Sequence, residues 1–233
     1  MKIENDYLII EPNEYIKNKK ITGHSFVDLL GLNNFKKPGD TFLTMHGFIK
    51  EKVDSKWLKR GDFAEKIVYL LYSQKYNKKC TIYDKEEISW DNFKNKKNYG
   101  GLIDIELLED KTLIEVKSKS IKDYDFISRN KPKSEIYQGM YYAYLRGYKT
   151  FIMEWIFFDQ VTEEEIFEDK RPTTLQYLQR ISETYTVDYD EMNNKVKEAL
   201  CILEKFKQER KIPLNQISEK SIQLLKESGK LKC

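Results

Sequence analysis

The sequence predicts an α/β protein in which a central mixed β-sheet is flanked by helices and followed by a helical C-terminal extension. Three observations carry this. Apolar residues at helical spacing mark segments near 54–76 and 134–146. Two β-branched runs flank a short polar turn within 102–118, and an apolar run, TFIMEWIFF, fills 150–158. The order helix, hairpin, helix, strand, helix is that of a sheet with helices laid against it.

Taken in order, residues 22–31 (TGHSFVDLLG) read as a short helix stopped by Gly31. In 54–76, Trp57, Gly61, Ala64, Val68 and Leu71 recur at spacings of 4, 3, 4 and 3, the stripe of a helix packed on a core. A short strand is expected at 80–83, and longer ones at 102–108 and 112–118. A helix over 134–146 meets its stop at Gly147, and 150–158 reads as a buried strand. Residues 190–211 are amphipathic, with Met192, Val196, Leu200, Leu203 and Phe206 on one side.

The chain has 233 residues, is 40% hydrophobic and 34% charged, and contains only 10 Gly and 5 Pro. That length supports a sizeable core, and the composition excludes a disordered or low-complexity chain. One domain spanning 1–233 is expected, with a core over about 21–158 and the extension over about 159–233. No run reaches the roughly 18 apolar residues of a membrane span. The opening MKIENDYLIIEPNE lacks the layout of a signal peptide, so cytoplasmic residence is expected, in a bacterium or a virus-infected host. Cys80, Cys201 and Cys233 are odd in number and far apart, which suits reduced thiols rather than a disulfide framework, a zinc site or an iron–sulfur cluster. The net charge of +3 says little, because 41 basic and 38 acidic residues are interspersed. Local runs say more: Lys17, Lys19 and Lys20; Lys94, Lys96 and Lys97; and the tail from Lys205 to Lys232. Such runs meet phosphates in some proteins and are solvated faces in most.

The hairpin carries charge where Ile or Val would be cheaper. Side chains alternate across a strand, so Glu115 and Lys117 share one face while Ile114 and Val116 take the other. A two-residue turn at Glu109–Asp110 sets Asp104 across from Glu115; one at Asp110–Lys111 sets it across from Lys117. Either places all three groups on one face, and a three-residue turn would break the set. Neighbouring carboxylates repel unless a positive charge compensates. Lys117 supplies one charge, and a divalent cation with a taste for hard oxygen ligands, Mg²⁺ or Mn²⁺, supplies more. Metal-assisted phosphodiester hydrolysis is the chemistry that needs this set. The bland alternative is a surface hairpin with a salt bridge.

The run Gly101-x-x-Asp104 followed by Glu115-Val116-Lys117 resembles the core of the PD-(D/E)XK nucleases, with Ile103 in place of the proline. Three further pieces resemble the YqaJ-type viral recombinases, the family of phage lambda exonuclease. They are ITGHSFVDLLGLNNFKKP at 21–38, KRGDFAEKIV at 59–68, and EIYQGMYYAYLRG at 135–147. The resemblance implies a restriction-endonuclease-like core. It makes Asp104 and Glu115 metal ligands, with the Val116 carbonyl and Glu65 completing the set, Lys117 the catalytic lysine, and Gln138 a group that steadies the site or the scissile phosphate. Glu65 follows Ala64 at the edge of the helix stripe, and Gln138 and Tyr142 lie one turn apart on one helix face. In the family's opening segment a serine commonly helps to hold the 5′-phosphate; here His24 stands in its place, with Ser25 next. Either the anchor shifts to His24 or Ser25, assisted by Lys17, Lys19 or Lys20, or selection for the 5′-phosphate is altered or lost.

DNA contacts are also expected from Arg60 and Tyr142, and from the loop after the catalytic strand, with Tyr124 and Phe126 toward a splayed strand end and Lys119 and Arg129 toward the backbone. The tyrosines at 137, 141, 142, 144 and 148 form a stripe that reads as core more than as a base-stacking platform. The activity implied is Mg²⁺-dependent 5′→3′ exonuclease action on double-stranded DNA ends, yielding single strands for annealing-type recombination. Two alternatives are a structure- or sequence-specific endonuclease on the same core and a non-catalytic DNA-end-binding protein. The family adds a single-strand annealing protein as partner and a homo-oligomer, commonly a trimeric ring.

Overall fold

Backbone conformation at a few turns shows why the chain reverses where it does. In the computed structural model, which describes residues 1–50, 54–168 and 179–231, Asn5 and Asp6 both take left-handed φ, 48° and 62°. That is the requirement of a tight two-residue hairpin turn, and Asn and Asp tolerate it better than most residues. In chain order the elements are β1 (Lys2–Glu4), β2 (Tyr7–Ile9), α1 (Gly23–Leu29), α2 (Pro38–Met45), α3 (Ser55–Leu70), β3 (Cys80–Thr81), β4 (Ile105–Leu107), β5 (Thr112–Ser120), α4 (Tyr124–Arg129), α5 (Lys133–Arg146), β6 (Thr150–Phe158), α6 (Gln160–Phe167), β7 (Gln179–Thr186), α7 (Tyr189–Glu209), β8 (Lys211–Pro213) and α8 (Glu219–Glu227). They fall into two compact units. One comprises Met1–Lys52, Phe93–Gly100 and Tyr189–Cys233; the other comprises Val53–Asn92 and Gly101–Asp188.

In the first unit a small antiparallel sheet has the order β1-β2-β8. Thr22 caps α1 in a reciprocal box with Ser25, and Pro38 opens α2 with Asp40 reaching back to the Lys37 N–H (3.1 Å). The amphipathic α7 buries Met192, Val196, Ala199, Leu203 and Phe206; Leu200, expected on that stripe, is half-buried and Ala199 takes its place. Phe206 meets Phe42 of α2 edge to face, centroids 5.8 Å apart.

The second unit carries the mixed sheet, in the order β3-β4-β5-β6-β7. Among the described strands of this sheet only β5 and β6 run parallel, and α5 lies in the crossover between them, as a parallel pair requires. Ile105, Leu107, Ile114, Val116, Ile156 and Phe158 form the core with Ala64 and Val68 of α3 and Ile166 of α6. Side chains of the other sheet face meet α5. There Gly139 lets the helix approach so closely that a Cβ would lie 2.6 Å from the Phe151 ring. Gly147 (φ 78°) ends α5 in the left-handed cap. The strand expected at 150–158 is present over that range, whereas β7 lies in the stretch read as helical extension. Its alternation is weak because the strand is largely solvated on one side, with an apolar/polar pattern (QRISETYT) that gives no strong period. Trp57, placed on the buried stripe of α3, is exposed; its ring carries the Arg60 guanidinium at 4.6 Å. Cys80 and Cys201 are free thiols, and Cys233 lies outside the described residues. Among the described residues no helix is long and apolar enough to cross a membrane.

Candidate active site

The β4–β5 register is Ile105↔Ile114, Glu106↔Leu113 and Leu107↔Thr112, which centres the turn on Glu109–Asp110. Carried one residue outward, that register sets Asp104 across from Glu115, the first of the two turn alternatives. Asp104 stands just before β4 and its Oδ2 accepts a hydrogen bond from the Val116 N–H at 2.8 Å, tying the first acid to the backbone between the second acid and the lysine. The approach to Asp104 depends on Gly101. Its φ is 131°, and a Cβ there would lie 2.6 Å from the Tyr142 hydroxyl, so both backbone and space demand glycine. Asn92 and Asp91 brace the same stretch: the Asn92 side chain accepts from the Ile103 N–H (2.8 Å) and that of Asp91 from the Gly101 N–H (3.2 Å).

Lys117 extends along the α5 face of the sheet. Its Nζ donates to Glu115 Oε1 at 2.8 Å and to Gln138 Oε1 at 3.2 Å. Glu115 is 1% exposed, and its other oxygen, Oε2, is buried without a hydrogen-bond partner. A buried carboxylate oxygen left in this state is costly in an apolar setting and needs a reason. Burial pushes the Glu115 carboxyl well up, Asp104 pushes it further, and Lys117 opposes both. Asp104 is also raised by burial, against the pull of Lys117 and the Val116 N–H. On α3, burial and the charge of Asp104 raise the Glu65 carboxyl to about 7, with Lys85 opposing. Lys117 is lowered by burial but held above its ordinary value by Glu115 and Asp104. Three acids that discourage one another's ionisation mark a place where positive charge is in deficit.

Hard carboxylate oxygens from Asp104, Glu115 and Glu65 suit Mg²⁺ or Mn²⁺, and the orphaned Glu115 Oε2 is the structural sign that fits. As the side chains stand, no three His, Cys, Asp or Glu among the described residues are gathered closely enough to hold an ion. Lysines lie against the outer members instead: Lys117 on Glu115, and Lys85 at 3.6 Å from Glu65 and 2.8 Å from Asp62. Lys85 and Asp62 were not picked out from sequence. The available signal was the i, i+3 spacing of Asp62 and Glu65, which puts two acids on one face of α3. Nothing in DKEE at 84–87 marks its lysine.

The remaining expected residues fall in several settings. Tyr142 is buried against Gly101. Arg60 is bound by the Glu163 carboxylate and donates to the Ser118 carbonyl at 3.2 Å, beneath the Trp57 ring. Lys119 pairs with Glu135, whose second oxygen accepts from the Trp155 indole at 2.7 Å. Tyr124 packs edge-on against Phe157, while Phe126 and Arg129 are exposed on α4. Lys17, Lys19, Lys20, His24 and Ser25 belong to the first unit. Lys17 and Lys19 are exposed there, and the Lys20 Nζ donates to the Phe93 carbonyl at 2.9 Å. The His24 side chain is 70% exposed with Nε2 4.0 Å from Asp28, and Ser25 is turned into the capping box of α1.

No protein-family model and no curated protein matches the sequence. Solved structures do match. One is a phage-related exonuclease from Haemophilus somnus 129PT, with a TM-score of 0.57 and 15% identity, covering 82% of this chain and 94% of that one. Another is an alkaline exonuclease, LHK-Exo, from Laribacter hongkongensis, at TM-score 0.55 and 14% identity, covering 82% of this chain and 89% of that one. LHK-Exo in complex with dAMP matches at TM-score 0.53 and 16% identity, with 82% and 89% coverage. At these identities the likeness is one of fold: the chain has an α/β fold similar to that of the phage-related and alkaline exonucleases.

Proposed function

We propose that the chain is a metal-dependent deoxyribonuclease that shortens linear double-stranded DNA from its 5′ ends. The observation that carries this reading is the β4–β5 register, which brings Asp104, Glu115 and Lys117 together beside Gln138, with Glu65 in electrostatic reach. The similarity in fold to exonucleases supports the substrate class. Mg²⁺ or Mn²⁺ would be held by Asp104, Glu115 and Glu65, with the Val116 carbonyl as a further ligand, and would supply charge stabilisation and activation of water. Lys117 keeps its proton, because Glu115 and Asp104 favour the charged form. In the charged form it would orient the nucleophile or stabilise charge developing on a phosphoryl oxygen. Gln138, on α5, would steady the Lys117 ammonium through the 3.2 Å hydrogen bond that it accepts.

The finer parts of this reading rest on resemblance: 5′→3′ polarity, His24 or Ser25 with the lysines at 17, 19 and 20 holding a 5′-phosphate, the production of single strands for an annealing partner, and a homo-oligomeric ring.

The test is digestion, with Mg²⁺, of linear duplex DNA bearing one 5′-phosphorylated and one 5′-hydroxyl end, beside covalently closed circular DNA. Resection from the phosphorylated end alone, with the circle intact and Lys117→Ala inactive, is the expected result. Cleavage of the circle would favour an endonuclease, and DNA-end binding without metal-dependent cleavage would favour a non-catalytic protein.

A further inference from the structure

Lys85 has a built position. The Asp84 side chain accepts from the N–H groups of Glu86 and Glu87, each at 2.9 Å, and the Trp90 N–H closes the turn onto the Lys85 carbonyl at 2.8 Å. Residues 91 and 92 are then fastened to the strand-like stretch leading into Asp104 by the Asp91 and Asn92 contacts described above and by the Asn92 N–H on the Gly101 carbonyl (2.9 Å). From this anchored turn the Lys85 ammonium reaches α3, where it lies 2.8 Å from Asp62 and 3.6 Å from Glu65, and it interacts electrostatically with Asp104. Asp62 is the more exposed of its two partners, 65% against 20% for Glu65.

Resting on the metal-dependent reading above, we propose that Lys85 is a resident counter-ion of the acidic cluster. It neutralises Glu65 while no divalent cation is bound, and is displaced onto Asp62 when one binds. A divalent ion held by Glu65 and Asp104 consumes the charge that attracts the ammonium and repels it directly. The ammonium then has a partner one helical turn away on the same face, already its closer contact, at the solvated edge. Lys85 thus sets how tightly the ion is held, and Asp62 sets how cheaply the lysine leaves. Lys117 differs: it is held directly by Glu115 at 2.8 Å and by the uncharged Gln138 at 3.2 Å.

The experiment is Mn²⁺ binding to the full chain without DNA, read by electron paramagnetic resonance of free Mn²⁺ and by titration calorimetry. Removing the competing charge with Lys85→Met should tighten binding about tenfold. Lys85→Gln should follow it, Lys85→Arg should stay near the wild type, and Asp62→Asn should weaken binding several-fold by leaving the lysine on Glu65. Unchanged or weaker binding by both Lys85→Met and Lys85→Gln would overturn the proposal. Unchanged or tighter binding by Asp62→Asn would overturn the transfer to Asp62. If Asp104→Asn and Glu115→Gln bind Mn²⁺ as the wild type does, the underlying reading fails, and the Lys85 role fails with it.

Discussion

Glu106 and Glu115 lie on paired strands, face the same helix, and are 0% and 1% exposed, yet their surroundings differ in kind. Glu106 receives a two-pronged grip from Arg146, with Nε on Oε1 and a terminal nitrogen on Oε2, both at 2.7 Å. The Tyr148 hydroxyl adds a bond to Oε1 at 2.6 Å and the Tyr83 hydroxyl one to Oε2. Burial would raise this carboxyl, but the bonds from Arg146, Tyr148 and Tyr83 outweigh burial and hold it below its ordinary value. Glu115 has one lysine on one oxygen, a bare second oxygen and two acidic neighbours, and it is raised. On the other sheet face Glu154 repeats the Glu106 solution with Arg180, Tyr72 and Ser182. The fold therefore completes the coordination of a buried carboxylate where the role is structural. Among the described residues the buried carboxylate oxygen left without a partner is Glu115 Oε2, beside Asp104 and Glu65, where positive charge is in deficit.

The contrast is broken most sharply by amide substitution. Glu115→Gln should lower Mg²⁺-dependent DNA cleavage by about 10³-fold, whereas Glu106→Gln should leave turnover per folded molecule within a few-fold, both read on linear duplex DNA well below the melting temperature. Stability should move the other way. Glu106→Gln should cost about 3 kcal/mol in urea unfolding, because it strands the Arg146 charge, while Glu115→Gln should stabilise the metal-free protein at pH 8.

The pH dependence sharpens the same contrast. With its folded-state value raised from 4.5 to about 8, Glu115 binds its proton more readily when folded, so metal-free stability should fall as pH rises through that interval. Thermal melts in chelator from pH 5 to 9 should show the fall, and Glu115→Gln should flatten it. Glu106, depressed, has the opposite sign: its contribution is present above its unfolded value and lost as pH drops through the folded one. The smallest expected effect is that of Arg146→Lys, which keeps the charge but gives up the two-pronged geometry, at about 1 kcal/mol in the same urea unfolding.

Much of this was legible from residues alone. The hairpin alternation fixed which of its side chains share a face, the turn at Glu109–Asp110 was one of two readings that brought Asp104 to Glu115 and Lys117, and 150–158 declared itself a strand by its unbroken apolar run. Local periodicity and turn length are short-range properties, so they survive without knowledge of the rest of the chain. The weak strand β7 did not declare itself, because its place is set by pairing with β6 rather than by its own pattern. Gly101 was legible as a motif position, but the reason for it, the Tyr142 hydroxyl 41 positions away in sequence, was not.

The sequence by itself determined that two acids and a lysine would face one way across a hairpin, since a strand's two-residue repeat allows no other arrangement once the turn is set. Only the tertiary structure decided which buried carboxylates are fully bonded and which are left short. Glu106 and Glu115 look alike in the chain, and the difference lies in what distant segments bring to them: Arg146, Tyr148 and Tyr83 to one, Asp104 and Lys117 to the other, and Lys85 to the rim of the cluster at Glu65. Charge compensation acts through space over a few ångströms, and proximity of that kind is written in the fold and not in the spacing of residues along the chain.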